Sequence, residues 1–395
     1  MKDTFELIDT YSESAVIKVI GIGGGGNNAV SHMAGNHIEG VEFICANTDA
    51  QALRKLNFGT IIQLGVELTK GLGAGTNPEV GRQAAEENKA RIREVLEGAD
   101  MVFLTAGMGG GTGTGAIPVI AEIARSMGIL TVAVVTKPFA FEGKKKFEVA
   151  ERGIAELERY VDSLITIPNQ KLLPVLGNKV SLVDAFKAAN DVLLDAVEGI
   201  TQLIVHPGMI NVDFADVRTV MTGMGAAIMG TGSATGEHRA REAAEKAIAC
   251  PLLEDINLKG ARGILVNISA TDMSMAEFTE VGEIVSAFAS EDANMKIGMS
   301  INPDLDDEIK VTVVATGMGM PPMEVKMPIQ KSNTVRHIGS NQMNYDGLDK
   351  PTVMRQHSAQ TVRGEGRETR FGAQPKQGGD VDYLDIPAFL RRQAD

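Results

Sequence analysis

A run of glycine and threonine, Gly107-Met108-Gly109-Gly110-Gly111-Thr112-Gly113-Thr114-Gly115, separates a short apolar stretch, Met101 to Leu104, from helix-spaced apolar residues between Ala116 and Ala124 that end at Arg125. A strand, a glycine loop and a helix start in that order predict a phosphate site. Glycines let the chain curl until successive N–H groups converge on one point, and the helix N-terminus adds partial positive charge there. Thr112 and Thr114 add hydroxyl donors. No Lys-Ser or Lys-Thr pair follows the glycines, so the loop is not a Walker A sequence. Phosphate charge must be met by amides, hydroxyls and a metal ion.

A second unit of the same kind lies upstream. The apolar stretch Val16 to Ile22, interrupted by Lys18, runs into Gly21-Ile22-Gly23-Gly24-Gly25-Gly26-Asn27-Asn28 and a helix through Val30 and Met33. Gly21, Gly23 and Gly26 satisfy G-x-G-x-x-G, and Asp49 follows the next strand, Val41 to Ala46, about where a ribose-binding acid would stand. Alone, this unit reads as the dinucleotide site of an NAD-dependent oxidoreductase, but that reading leaves the loop at 107–115 without a task. Two phosphate loops at neighbouring strand ends suit a nucleoside triphosphate better. A third glycine turn, Gly71 to Glu79, precedes a helix from about Glu79 to Leu96, with Pro78 suited to its first turn. Further strands at Ile129 to Thr136 and Ser163 to Ile167 flank a helix from Lys144 to Tyr160. The alternation predicts an α/β fold with a doubly wound parallel sheet over residues 14–180, and ligands in such sheets gather at the carboxyl ends of the strands.

Residues 181–208 predict a long central helix. Ser181 and Asp184 open it as a capping-box variant, apolar residues recur at steps of three and four from Leu182 to Leu203, and His206-Pro207-Gly208 stops it. Then comes Asn211-Val212-Asp213-Phe214-Ala215-Asp216, which puts two carboxylates on a loop entering a new helix. Asp213 and Asp216 either cap that helix or polarise water and organise Mg2+ beside phosphate. Residues 209–320 predict a second, α+β domain, with strands at Gly263 to Ala270, Asn294 to Ile301 and Ile309 to Ala315 and a helix from Ser274 to Ala289. Met221, Met224 and Met229 read as core fillers.

Composition narrows the class. The 395 residues are 44% apolar and carry a net charge of −13, which supports sizeable cores and offers no diffuse basic surface for nucleic acid. Cys45 and Cys250 fit no disulfide framework or metal spacing and read as reduced thiols that are buried or semi-buried. Residues 1–13 carry no signal pattern and predict a flexible N-terminus, and no apolar run reaches the roughly 18 residues of a membrane span, so a cytoplasmic chain without direct membrane insertion is expected. Residues 321–380, low in apolar content, predict a disordered linker. Residues 381–395 restore apolar anchors at Tyr383, Leu384, Ile386, Phe389 and Leu390, the pattern of a docking peptide.

The loops Gly23 to Asn28 and Gly109 to Gly115 and the motif Asn211-x-Asp213-x-x-Asp216 resemble, in order and spacing, those of FtsZ, the tubulin-like bacterial division GTPase family. The resemblance spans about residues 14–320, resumes in the last fifteen, and is of the gamma-proteobacterial type. It implies a GTPase that uses GTP with Mg2+ and polymerises head-to-tail into the division ring. In the family the acidic loop of one subunit reaches the γ-phosphate held by the next, so Asn211, Asp213 and Asp216 are the implied catalytic residues. Gly24, Gly25, Gly26, Asn27, Asn28, Gly109, Gly110, Gly111, Thr112, Gly113 and Thr114 are implied to hold phosphates, and Gly73, Ala74 and Gly75 to sense the γ-phosphate. Glu142 is implied to bind ribose, Asn169 and Phe186 to contact guanine, and Asp191 to accept the guanine N1 and exocyclic N–H groups, which adenine cannot supply. Asn27 stands where another glycine is usual and adds a side chain beside the phosphates. Lys146 stands where arginine is usual, keeping the charge without the planar fork. The terminal segment Asp382 to Arg392 resembles the family peptide that binds the membrane tethers FtsA and ZipA, which places the chain in the cytoplasm at a mid-cell ring beneath the inner membrane. A tubulin-like GTP-binding protein that does not polymerise is the remaining alternative.

Overall fold

A computed structural model describes residues 15–177, 180–205, 210–253, 260–290 and 292–318. The flexible N-terminus, the helix stop His206-Pro207-Gly208, the linker and the docking peptide expected from sequence lie outside the described residues. The first half alternates strands and helices: β1 (Ile17–Ile22), α1 (Gly23–Gly35), β2 (Val41–Asn47), α2 (Ala50–Leu53), β3 (Thr60–Gln63), α3 (Val66–Thr69), α4 (Pro78–Glu87), α5 (Lys89–Leu96), β4 (Met101–Gly107), α6 (Thr112–Ser126), β5 (Leu130–Lys137), α7 (Lys144–Leu157) and β6 (Ser163–Pro168). Next come α8 (Leu173–Leu176), the 24-residue α9 (Leu182–Val205), α10 (Phe214–Met221), β7 (Gly225–Thr235), α11 (Arg239–Ile248), β8 (Gly263–Ala270), α12 (Met275–Phe288), β9 (Asn294–Ile301) and β10 (Glu308–Thr316).

The strands form one sheet in the order β3-β2-β1-β4-β5-β6-β7-β10-β8-β9. Every pairing from β3 to β7 is parallel, and β10 runs antiparallel to both β7 and β8. The parallel strands β1, β4 and β5 are apolar and buried along almost their whole length, as strands covered by helices on both faces must be. Cys45 lies in this core, and burial pushes its thiol up to about 12. The sheet continues from the first half into the second through the short register Ser163↔Gly225 to Ile165↔Ala227.

α9 forms with the expected start: the Ser181 hydroxyl donates to Asp184 Oδ2 (2.6 Å), and the Asp184 N–H donates back to Ser181 Oγ (3.1 Å). Ala189, Leu193, Ala196, Val197, Ile200 and Leu203 give it one buried stripe against the main core. The helix expected over 79–96 is two helices, α4 and α5. Between them the Asn88 carboxamide turns away to accept the N–H of Gly65 (2.7 Å). β7 has no counterpart in the sequence expectations. Its glycines are required by α11, since a Cβ on Gly230 would stand 2.2 Å from the Ala247 carbonyl oxygen and one on Gly232 would stand 2.3 Å from that of Ala243. Met221 and Met229 fill the core as expected.

Candidate active site

The carboxyl end of β1 runs directly into α1 at Gly23, and that of β4 reaches α6 at Thr112 through the loop at 108–111. Neither helix start has a side-chain cap or an acidic residue in its first turn, so both present free N–H groups and dipole charge. They open on a cavity of about 410 Å3, within the usual range for small-molecule sites. Gly24, Gly25, Asn28, Gly75, Gly110, Gly111, Thr112, Gly113, Glu142, Lys146, Asn169 and Phe186 line it, so twelve of the expected site residues meet in one place. A Cβ at Gly24 or Gly110 would meet nothing within 4 Å, which marks both as backbone that a ligand can approach closely.

The other expected residues build the walls. A Cβ on Gly26 would stand 2.3 Å from the Thr105 carbonyl oxygen, so this glycine is needed for the crossing of α1 over β4. Asn27, expected to add a side chain beside the phosphates, is buried and is not among the residues that line the cavity. With its amide oriented to satisfy both ends, it donates to the carbonyls of Gly21 (2.8 Å) and Gly23 (3.1 Å) and accepts from Asn47 (3.2 Å). Gly73 and Ala74 carry the third loop toward the second, where the Gly111 N–H donates to the Gly75 carbonyl (2.9 Å). Gly109 takes φ of 99°, and its N–H donates to Thr114 Oγ1 (2.8 Å), so Thr114 braces the loop from behind. The Thr112 hydroxyl meets that of Thr48 at 2.6 Å.

At the far end Lys146 pairs with Glu142 Oε2, while Glu142 Oε1 accepts the N–H of Phe139 (2.9 Å). Phe186 stands edge-on to Phe139, with centroids 5.3 Å apart, and leaves a face toward the cavity. Asn169 Oδ1 is buried on the cavity wall without a hydrogen-bond partner among the described residues. A buried acceptor of this kind points to a donor supplied by a ligand. Uncapped helix starts, open glycines and this orphan acceptor together fit a nucleotide. Asp191 is not among the residues that line the cavity: it pairs with His32 Nε2 at 2.6 Å, and the neighbouring Asn190 lines the wall. Sequence reasoning missed Asn190 and His32, and only the adjacency of Asn190 to Asp191 could have signalled the first. Asp49 caps α2, accepting from the N–H groups of Gln51 (2.8 Å) and Ala52 (3.3 Å), which removes the ribose ligand of the dinucleotide alternative.

The acidic motif lies outside this wall. Asp213 caps α10, accepting the Asp216 N–H at 2.7 Å, as the capping reading required. Asp216 pairs with Lys296 at 2.7 Å, a partner that no sequence signal announced, and Asn211 is exposed. None of these three residues is among those that line the cavity of the glycine loops.

The chain is similar to known proteins in sequence and in fold. Residues 16–177 match the family described as Tubulin/FtsZ family, GTPase domain, and residues 225–319 match FtsZ family, C-terminal domain. The cell division protein FtsZ of Pseudomonas aeruginosa is 59% identical over 99% of this chain and 100% of its own, and that of Coxiella burnetii is 60% identical over 98% and 99%. An empty FtsZ dimer of M. jannaschii superposes with a TM-score of 0.75 at 42% identity, covering 78% of this chain and 89% of that one. CetZ1 from Haloferax volcanii, at 20% identity and a TM-score of 0.67, shares the fold. From its two matched domains and its near full-length likeness to these relatives, the chain belongs to the FtsZ family of tubulin-like GTPases.

Proposed function

We propose that this GTPase completes its hydrolytic site between subunits: the cavity of one chain binds GTP, and Asn211, Asp213 and Asp216 of the next act on the γ-phosphate. The observation that carries the reading is that none of the three acidic-loop residues lines the cavity that holds the phosphate cradle. A contact between two different surfaces of one chain repeats without closing and builds a filament. Gly24, Gly25, Gly110, Thr112 and Gly113 take the phosphates, Glu142 takes the ribose, and Asn169 and Phe186 take the base. Among the described residues no group of three His, Cys, Asp or Glu side chains could hold a metal ion by itself. Mg2+ is assigned to oxygens of the bound phosphates and to water, with which it keeps most of its coordination. Attack by a water held at the acidic loop releases phosphate and weakens the contact, so turnover regulates assembly.

The family membership supports polymerisation for cell division over the oxidoreductase and the non-polymerising alternatives. The finer assignments belong to the same proposal: residues 14–180 as nucleotide domain, 181–208 as spine, 209–320 as the domain that supplies the acidic loop, and 321–380 as linker. Asp382 to Arg392 serves as the peptide for FtsA and ZipA, at a ring beneath the inner membrane. No helix among the described residues is long and apolar enough to cross a membrane.

Mixing two inactive chains tests the shared site. Gly110→Asp places a carboxylate in the phosphate cradle, and Asp216→Ala removes the acidic loop's second carboxylate. A one-to-one mixture should recover GTP hydrolysis, because an intact loop on one chain meets bound GTP on the other. A mixture as inactive as its components would rule the shared site out.

A further inference from the structure

The acidic loop carries a cation of its own. Asp216 is held twice: its N–H is fixed by Asp213 Oδ1 at 2.7 Å, and its Oδ1 by Lys296 Nζ at 2.7 Å. Lys296 lies on β9, opposite Leu265 of β8, on the strand that ends the sheet order. The basic residue of α10 itself, Arg218, is turned elsewhere, donating to the Gly128 carbonyl at 2.8 Å and lying 5.9 Å over the Phe214 ring. Lys296 is therefore the cation that faces Asp216.

An ion pair whose two side chains each remain 34% exposed adds little to folding stability. Its effect is to set where the carboxylate points and what charge the loop presents. Two carboxylates brought to a triphosphate are repelled unless a positive charge accompanies them, and the repulsion grows as water is excluded from the contact. We propose that Lys296 is a positioning residue for Asp216, and that its ammonium offsets the charge of the acidic loop as it meets a neighbouring subunit's triphosphate. This rests on the reading that Asp216 acts on the next subunit's nucleotide.

The test uses the full chain as Lys296→Met, Lys296→Arg, Asp216→Asn and the Lys296→Met/Asp216→Asn double variant. Phosphate release is followed against GTP concentration in assembled protein, and polymer is sedimented with a slowly hydrolysed GTP analogue. Lys296→Met should lower kcat about ten-fold, the scale expected of a misplaced catalytic group, with KM and sedimented mass unchanged. Lys296→Arg should stay within about two-fold of the parent chain, and the double variant should be no slower than Asp216→Asn alone, as coupled residues require. Retention of kcat in Lys296→Met while Asp216→Asn is inactive overturns the positioning role and leaves the shared site standing. Parallel loss of kcat and sedimented mass in Lys296→Met overturns it in favour of a purely structural pair. Full turnover in Asp216→Asn overturns both readings together.

Discussion

Nε2 of His32 and Oδ1 of Asp191 lie 2.6 Å apart and join the helix that starts at the first phosphate loop to the central helix, 159 residues further along the chain. The Asp191 side chain is 49% exposed, so the bond is partly screened. His32→Ala should cost about 1 kcal/mol in urea unfolding. If Asp191 also reads the base, Asp191→Ala should lose preference for GTP over ATP while His32→Ala keeps it. Equal loss in nucleotide titrations of both variants would assign Asp191 to the tie alone.

Asn169 presents a different kind of test, because its buried Oδ1 has no hydrogen-bond partner among the described residues. Removing an unsatisfied acceptor relieves a desolvation cost, whereas removing a ligand contact weakens binding. Asn169→Ala should leave unfolding stability unchanged or raised and increase the GTP dissociation constant about ten-fold, equivalent to about 1.4 kcal/mol. Calorimetric titration beside thermal unfolding separates the two effects.

The glycines divide by what surrounds them. Gly24→Ala puts a methyl into open space and should fold normally, with altered GTP affinity. Gly26→Ala puts one 2.3 Å from the Thr105 carbonyl oxygen and should destabilise by about 1–3 kcal/mol or more whether or not nucleotide is present. Thermal unfolding with and without GTP distinguishes a ligand-facing glycine from a packing glycine.

Much of this was legible in the sequence because it is local. Glycine loops, a 3.6-residue apolar stripe and unbroken apolar strands report on themselves, and the cavity forms where the strand ends predicted it. What was not legible depends on contacts between distant residues. β7 was hidden because Gly230 and Gly232 depress strand propensity for the sake of α11, a reason visible only when the helix is in place. The Asn88 break depends on Gly65, and the tie that Asp191 makes depends on His32. Lys296 sits in a strand pattern that gives no sign of a catalytic neighbour. The bracing of the turn by Asn27 was not legible either, since only three dimensions show that its amide faces Gly21, Gly23 and Asn47.

Acid should act on the second half of the chain through Glu277. Hydrogen bonding from Arg239 holds its carboxyl at about 2, below the ordinary 4.5, and bonds from Ser274 add to the effect. A lowered folded-state value means that the stabilisation is complete above pH 4.5 and is lost as pH falls toward 2. Glu277→Gln should cost about 1 kcal/mol at neutral pH after solvent screening. The gap from the parent chain should close across that acid window in unfolding titrations, and a gap that stays constant there would assign the cost to packing.

Whether one chain can hydrolyse GTP alone decides between a shared site and a self-contained one. Phosphate release measured across a range of protein concentrations, with light scattering recorded in parallel, addresses this directly. The shared site predicts that activity per molecule is negligible at high dilution and rises together with scattering above a threshold. It also predicts that Asp216→Ala abolishes the activity while GTP still binds. Activity per molecule that is the same at every dilution would show that each chain carries a complete site and would contradict the account.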